Sequence, residues 1–252
     1  MQNTVLDNPM SAISGKMQTH DGIFRPPHYG RIFDYAPPAT DFTPQGRDII
    51  YCDDHIIVAS KPPGLLSVDG KSDGHKDSLS SRMAAAYPGA RIVHRLDMAT
   101  SGVIIFARTP EAMRHIGLQF ERRHVEKSYI AQISGHPDSD NGEIDAAIIC
   151  DWPRRPLQMI DFAQGRKAVT RWEVISCDHK NTSRIKLTPV TGRSHQLRLH
   201  MLYIRHPILG DRLYAPDAIY AAAPRLYLHA HTLSIFHPAG GARVTFKAPC
   251  PF

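Results

Sequence analysis

Four consecutive residues, His94-Arg95-Leu96-Asp97, set a carboxylate beside a guanidinium and an imidazole, and a Ser101-Gly102 pair follows shortly after. An ionised Asp so placed could act as a nucleophile, stabilise a cationic centre or accept a proton. It could equally hydrogen-bond its own turn backbone, the commoner use of Asp in loops. A second concentration of polar groups is Thr191-Gly192-Arg193-Ser194-His195-Gln196-Leu197-Arg198-Leu199-His200. Its pattern predicts a helix from about Ser194, halted near Arg205 because Pro207 disfavours helical geometry at His206. On that helix Ser194, His195 and Arg198 would share one face, with Arg198 at least a solvated charge. Tyr129 offers a third group, sharing one face of an alternating strand with Lys127 and Ala131.

The elements that must hold these groups are legible as apolar runs. Segments 91–93 and 103–107 read as buried strands on either side of the Asp97 loop. Segments 48–51 and 55–59 read as a hairpin, ended by Lys61-Pro62-Pro63-Gly64 because proline cannot donate to a ladder. Lys61 would then be either a phosphate contact or a solvated strand end. Residues 78–86 read as a short helix. Thr109 and Pro110 open a longer one, with Met113, Ile116, Gly117 and Phe120 as its core stripe. Strands follow over 125–133, 166–176 and 183–188, with closing strands at 224–230, 233–238 and 244–249. Many strands, several of them alternating, with few helices make an α+β domain on a mixed, mostly antiparallel sheet.

The chain has 252 residues, 42% of them hydrophobic and 21% charged, enough for a full core. Thirty Lys plus Arg against 24 Asp plus Glu leave a net charge of +6, which permits a polyanionic partner. The four cysteines are scattered, without zinc spacing, and no transmembrane run or signal peptide is visible, so a reducing, cytoplasmic setting is expected. Residues 1–46 carry six prolines and no sustained periodicity; they read as an extended or partly disordered arm, with Ile32-Phe33-Asp34-Tyr35 as one short docking strand. The catalytic domain would then span 47–252. There is no P-loop, and the likeness of H-R-L-D to a kinase H-R-D loop fails on the extra Leu and the lack of a Gly-rich loop and D-F-G. No H-E-x-x-H or Cys/His cluster supports a metal.

Taken together and in order, H-R-L-D followed by Ser-Gly, K-P-x-G-L-L-S-V at Lys61–Val68, K-x-Y at Lys127–Tyr129, T-G-R-S-H-Q-L-R-x-H at Thr191–His200 and H-P-I-x-G-D at His206–Asp211 resemble the RluA family of pseudouridine synthases. The resemblance covers about residues 48–252, with two departures, Ser60 and Asp69, where the family favours Asn and Pro. It implies one catalytic domain with a central cleft, no S4-like RNA-binding domain, no cofactor and a monomer. It makes Asp97 the catalytic carboxylate, Arg198 its ion-pair partner and Tyr129 the ring that packs on the target uracil. It makes Arg95 the side chain that holds the vacated base stack, with His94, Lys127, Arg193 and His195 as backbone or base contacts. The segment Ile149-Cys150-Asp151-Trp152-Pro153-Arg154-Arg155-Pro156 resembles the short, dual-specificity members, which modify a uridine in the tRNA anticodon stem-loop and one in 23S rRNA. Trp152, Arg154 and Arg155 could there stack on and clamp RNA. The same residues would also suit a Pro-stiffened surface loop over a buried Trp. Alternatives are a family member with a single tRNA or rRNA target, a non-catalytic RNA-binding protein, or an unrelated acid/base hydrolase. Three separate motifs in order favour the synthase.

Overall fold

The computed structural model describes residues 21–31, 41–70 and 76–252. Its strands are β1 (Ile23–Phe24), β2 (Ile49–Cys52), β3 (Ile56–Lys61), β4 (Arg91–Ile92), β5 (Ser101–Ala107), β6 (Glu126–Ser134), β7 (Asn141–Asp145), β8 (Ile148–Cys150), β9 (Gln158–Asp161), β10 (Val169–Cys177), β11 (Thr182–Pro189), β12 (Leu228–Phe236) and β13 (Arg243–Lys247). Among the described residues four α-helices join them: α1 (Leu79–Ala86), α2 (Pro110–Glu121), α3 (Gln196–Tyr203) and α4 (Asp217–Ala221).

Ten strands form one sheet in the order β2-β3-β5-β12-β6-β11-β10-β7, with β13 on β12 and β4 on β5. A second sheet has the order β1-β9-β8. Among the described strands only β5 and β12 pair in parallel, through Ser101 with His229 and Gly102 with Ala230. The expected mixed, largely antiparallel α+β architecture is what the chain adopts. All seven residues of β5 are buried, as a β-branched run covered on both faces should be. That strand leads directly out of the Asp97 loop, so the loop is tied to the most enclosed element of the sheet.

Local signals form as their chemistry predicts. The Ser78 hydroxyl accepts the Ser81 N–H at the start of α1, and the Thr109 hydroxyl accepts the Ala112 N–H at the start of α2, with Pro110 in its first turn. Elsewhere tertiary packing decides. The buried face of α2 is Ala112, Ile116 and Gln119, rotated from the expected Met113, Ile116, Gly117, Phe120 stripe. Gln119 is drawn inward because its amide donates to the Phe236 carbonyl (2.7 Å) and accepts the Phe236 N–H (2.7 Å). The two closing strands expected at 224–230 and 233–238 are one continuous strand, β12, bulged between Ala230 and Thr232. Helix α3 begins at Gln196 rather than Ser194, because His195 takes a left-handed conformation (φ 55°) ahead of it.

The described parts of the arm do more than lie on the surface. Phe24 joins the large core cluster, its ring 5.7 Å from that of Tyr203, and Phe42 enters a second cluster with Leu79 and Leu96. The docking strand expected at Ile32-Phe33-Asp34-Tyr35 lies outside the described residues.

Candidate active site

The Asp97 loop is clamped from behind by the Lys61–Val68 segment. Ser67 Oγ both donates to the Leu96 carbonyl (2.7 Å) and accepts the Leu96 N–H (3.1 Å), and the Gly64 N–H donates to the Met98 carbonyl (2.8 Å). Lys61 is 1% exposed, and its ammonium reaches the carbonyls of Pro62, Leu65 and Met98 at 2.8, 2.7 and 2.9 Å. It is therefore neither a phosphate contact nor a solvated strand end, but a buried tie beneath the loop. Burial pushes its pKa down to about 7, against the pull of the nearby Asp97 charge.

Opposite stands the 191–198 segment. Gln196 holds it in shape. Its amide oxygen accepts from Thr191 Oγ1 (2.8 Å) and the Arg193 N–H (3.0 Å), and its nitrogen donates to the Val169 carbonyl and Thr170 Oγ1 (both 3.0 Å). From the following turn of α3, Arg198 enters the interior. Its Nε and Nη2 donate to the two carboxylate oxygens of Asp211 at 2.8 and 2.6 Å, and its Nη1 reaches Asp97 Oδ2 at 3.4 Å. Arg198 is 4% exposed and Asp211 1%, whereas the Asp97 side chain keeps 27% of its surface open. Asp211, which reads from sequence as part of a structural turn, is the residue that sequence reasoning missed; the bidentate geometry identifies it. The Tyr214 ring lies 5.1 Å from the Arg198 guanidinium, and its hydroxyl accepts the Gln158 N–H (2.9 Å) and meets His195 Nδ1 (2.8 Å).

The electrostatics follow from this packing. Burial pushes the Asp97 carboxyl up, but His195 when protonated, Arg198 and Lys61 outweigh it and hold it below the usual carboxylate range. Burial also lowers His195, so at neutral pH its imidazole is neutral and Arg198 is the principal cation facing Asp97. Burial would lower Arg198 too, but the carboxylates, Asp211 first, more than reverse this and keep it protonated. Tyr129 is pushed up by burial and by the Asp97 charge, so its phenol stays neutral.

A cleft of about 430 Å³ opens over Asp97, lined by Arg95, Lys127, Tyr129, Arg193, His195 and Leu228 among others. Its size suits a nucleotide. A family model described as RNA pseudouridylate synthase matches residues 55–203. The dual-specificity RNA pseudouridine synthase RluA of Escherichia coli strain K12 is 53% identical over 204 residues, 81% of this chain and 93% of that protein. The chain belongs to the RluA family of RNA pseudouridine synthases. RluA of Haemophilus influenzae strain Rd is 47% identical over 221 residues, covering 88% of this chain and 99% of that one. Among solved structures, human RNA Pseudouridylate Synthase Domain Containing 1 superposes with a TM-score of 0.70 at 28% identity, over 84% of this chain and 87% of that chain. The enzyme is thus an isomerase acting on RNA.

Not every family-derived candidate faces this cleft freely. Arg95 is exposed, and Arg193 keeps part of its surface open while its Nε donates to the Lys167 carbonyl (3.1 Å). Lys127 lies with its ammonium 6.0 Å from the Phe120 ring centroid, its pKa lowered by burial. His94 also lines the cleft: its Nε2 accepts the Ile105 N–H (3.2 Å), its ring stacks on Phe120 at 4.8 Å, and burial pushes its pKa down to about 3. Its imidazole is therefore neutral, half-buried and part of the cleft lining. Trp152, Arg154 and Arg155 stand apart from the cleft lining. Trp152 is 64% exposed, which overturns the buried-Trp alternative, and the Arg155 guanidinium stacks 4.5 Å from its ring centroid. Among the described residues no group of three or more His, Cys, Asp or Glu converges as a metal site, and no helix is long and apolar enough to cross a membrane.

Proposed function

We propose that the enzyme isomerises a uridine of the tRNA anticodon stem-loop and one of 23S rRNA, acting as a monomer whose catalytic domain spans residues 47–252 and follows an N-terminal arm, residues 1–46. The sequence block at 149–156 and the dual-specificity name of its relatives support this choice. The observation that carries the chemistry is Asp97: ionised, partly open to the cleft, and held by an Arg198 that is itself fixed by Asp211.

Uridine and pseudouridine are isomers. The N1–C1′ bond breaks, the C5–C1′ bond forms, the C5 proton leaves and N1 gains one, so no oxidant or energy source enters the balance. Asp97 acts as the nucleophile or as the counter-charge of a cationic sugar. Arg198 orients its carboxylate, with one oxygen engaged and the other available to the nucleoside. The neutral Tyr129 ring packs on the flipped uracil, a contact worth about 1–3 kcal/mol per base. Arg95 takes the place of the extruded base, which offsets part of the few kcal/mol that flipping costs. Lys127, Arg193 and His195 line the path of the strand, while Trp152 and Arg155 form a stacking platform beside it.

The test is tritium release from C5-labelled anticodon stem-loop RNA and from a 23S rRNA fragment. Wild type should release tritium from both, and Asp97→Asn from neither. Release from one RNA only would reduce the reading to a single-target enzyme. Activity surviving in Asp97→Asn would remove Asp97 from the centre of the chemistry.

A further inference from the structure

Three residues of the 149–156 segment, Trp152, Arg154 and Arg155, look alike in sequence as RNA ligands, but the structure treats one of them differently. All three Arg154 nitrogens lie against a partner, Nη2 through an ion-pair contact alone. Its Nε donates to Asp151 Oδ2 (2.7 Å), its Nη2 touches the same carboxylate, and its Nη1 donates to the Pro26 carbonyl (3.0 Å). Asp151 is 2% exposed, so its carboxylate depends on that guanidinium; a buried charge stripped of its partner is strongly unfavourable. Swinging Arg154 out to a phosphate would create that situation.

The carbonyl at the other end of this bridge is itself anchored. Residues 22–31 cross the small sheet as a strap: Ile23 and Phe24 pair with Asp161 and Ile160 of β9, and the Phe162 N–H donates to the Gly22 carbonyl (3.1 Å). Phe24 is buried on one side of Pro26. On the other, Arg31 sits between the Tyr29 and Tyr220 rings (4.8 and 4.5 Å), pairs with Asp217 at 3.5 Å and reaches the Ala215 carbonyl. The loop is also closed on itself, with the Asp151 N–H donating to the Leu157 carbonyl (3.0 Å). Just beyond it, the Gln158 N–H meets Tyr214, the ring beneath Arg198.

We propose that the 22–31 strap, acting through the Pro26–Arg154–Asp151 bridge, sets the position of the Trp152–Arg155 platform for a single-stranded nucleotide, so that Arg154 is a positioning residue and not an RNA contact. The proposal rests on the reading of Trp152 and Arg155 as RNA-facing. It has an unusual consequence at Asp151. Removing a negative charge near a polyanion ordinarily strengthens binding. Here Asp151→Asn loosens the bridge and weakens it.

The experiment measures KM and kcat for stem-loop tritium release against salt concentration, for Trp152→Ala, Arg155→Ala, Asp151→Asn, Arg154→Lys and Arg154→Ala. Expected for Asp151→Asn is a rise in KM of roughly tenfold with kcat held within about twofold, the size of one lost charge-assisted bond. Arg154→Lys should behave like Arg154→Ala, since a lysine cannot span both partners, and neither should change the slope of log KM against log salt. Arg155→Ala should lower that slope by about one phosphate contact. In the full chain the double variant Asp151→Asn/Arg154→Ala should raise KM no further than either single change, as members of one bridge do. Tighter binding by Asp151→Asn, or wild-type KM for Arg154→Lys with a reduced slope for Arg154→Ala, would make Arg154 a direct phosphate ligand and overturn the proposal. Unchanged KM in both Trp152→Ala and Arg155→Ala would instead remove the platform itself, and the strap's role with it.

Discussion

At the scale of single residues, the site is a chain of charge: Asp97, Arg198, Asp211. The inner pair is the better formed, bidentate and enclosed, while the Asp97 contact is longer and partly open. That asymmetry suits a carboxylate that must engage substrate and an Arg that must not move. Asp211→Ala should therefore destabilise the fold by about 3–5 kcal/mol, since it strands a buried guanidinium. Asp211→Asn, which keeps the shape, should lower kcat more than it raises KM. Urea unfolding and tritium-release kinetics separate the two effects. Because Asp97 is held below the ordinary carboxylate range, it remains ionised as pH falls through the usual Asp titration. The acid limb of kcat/KM should accordingly lie below about pH 4, and an acid limb near pH 6 would mean that another group controls activity.

At the scale of elements, the parallel β5–β12 contact decides how closely the Asp97 loop approaches its neighbours. Gly102 has φ +114°, and a Cβ there would lie 2.1 Å from the Ala230 carbonyl oxygen and 2.7 Å from its nitrogen. No side-chain rearrangement relieves a clash with backbone, so Gly102→Ala should cost on the order of 3 kcal/mol or more and abolish activity along with it, as a thermal melt would register. One residue earlier, Ser101 Oγ accepts from Arg225 Nη2 (2.6 Å) and meets His229 Nδ1 (2.8 Å), whose Nε2 faces the Ala248 carbonyl (3.2 Å). The chain of bonds sets His229 as the neutral Nε2–H tautomer and links the exit of the Asp97 loop to the C-terminal segment. His200 is held in the same way between Thr170 Oγ1 (2.9 Å) and the Ala146 carbonyl (3.0 Å).

For the whole molecule these histidines set a pH response. Burial pushes His94 to about 3 and His200 and His229 to about 4, from an ordinary value near 6.5. Below about pH 6.5 the unfolded chain takes up protons that the folded chain refuses, so stability falls as pH drops towards 4. Lys61, with its pKa near 7, acts in the same sense at higher pH, adding stability between about 7 and 10.5. Melting temperature against pH should rise across both windows, and Lys61→Met should flatten the upper one. The net charge of +6 should make KM for RNA climb steeply with salt while kcat stays level.

What the sequence determined by itself was whatever depends on neighbours along the chain. The H-R-L-D loop between apolar strands, the Thr109 cap and the hairpin at 49–61 are local arrangements, written in turn chemistry and β-branched runs. The motif resemblance added the family and its catalytic Asp. Only the tertiary structure decided where the charges go, because burial and long-range pairing have no local signature. Asp97 and Arg198 are 101 positions apart, and nothing in either segment's pattern marks Asp211 as the partner that fixes the Arg. Lys61 reads as a phosphate contact or a solvated strand end, yet it is a buried tie, and His94 is a neutral, half-buried ring stacked on Phe120. Trp152, Arg154 and Arg155 read alike, and the fold alone leaves Trp152 open to solvent with Arg155 stacked on it, while committing Arg154 to the interior bridge. A side chain's chemistry is set by what it must desolvate and what it can then pair with, and both are properties of the packed chain.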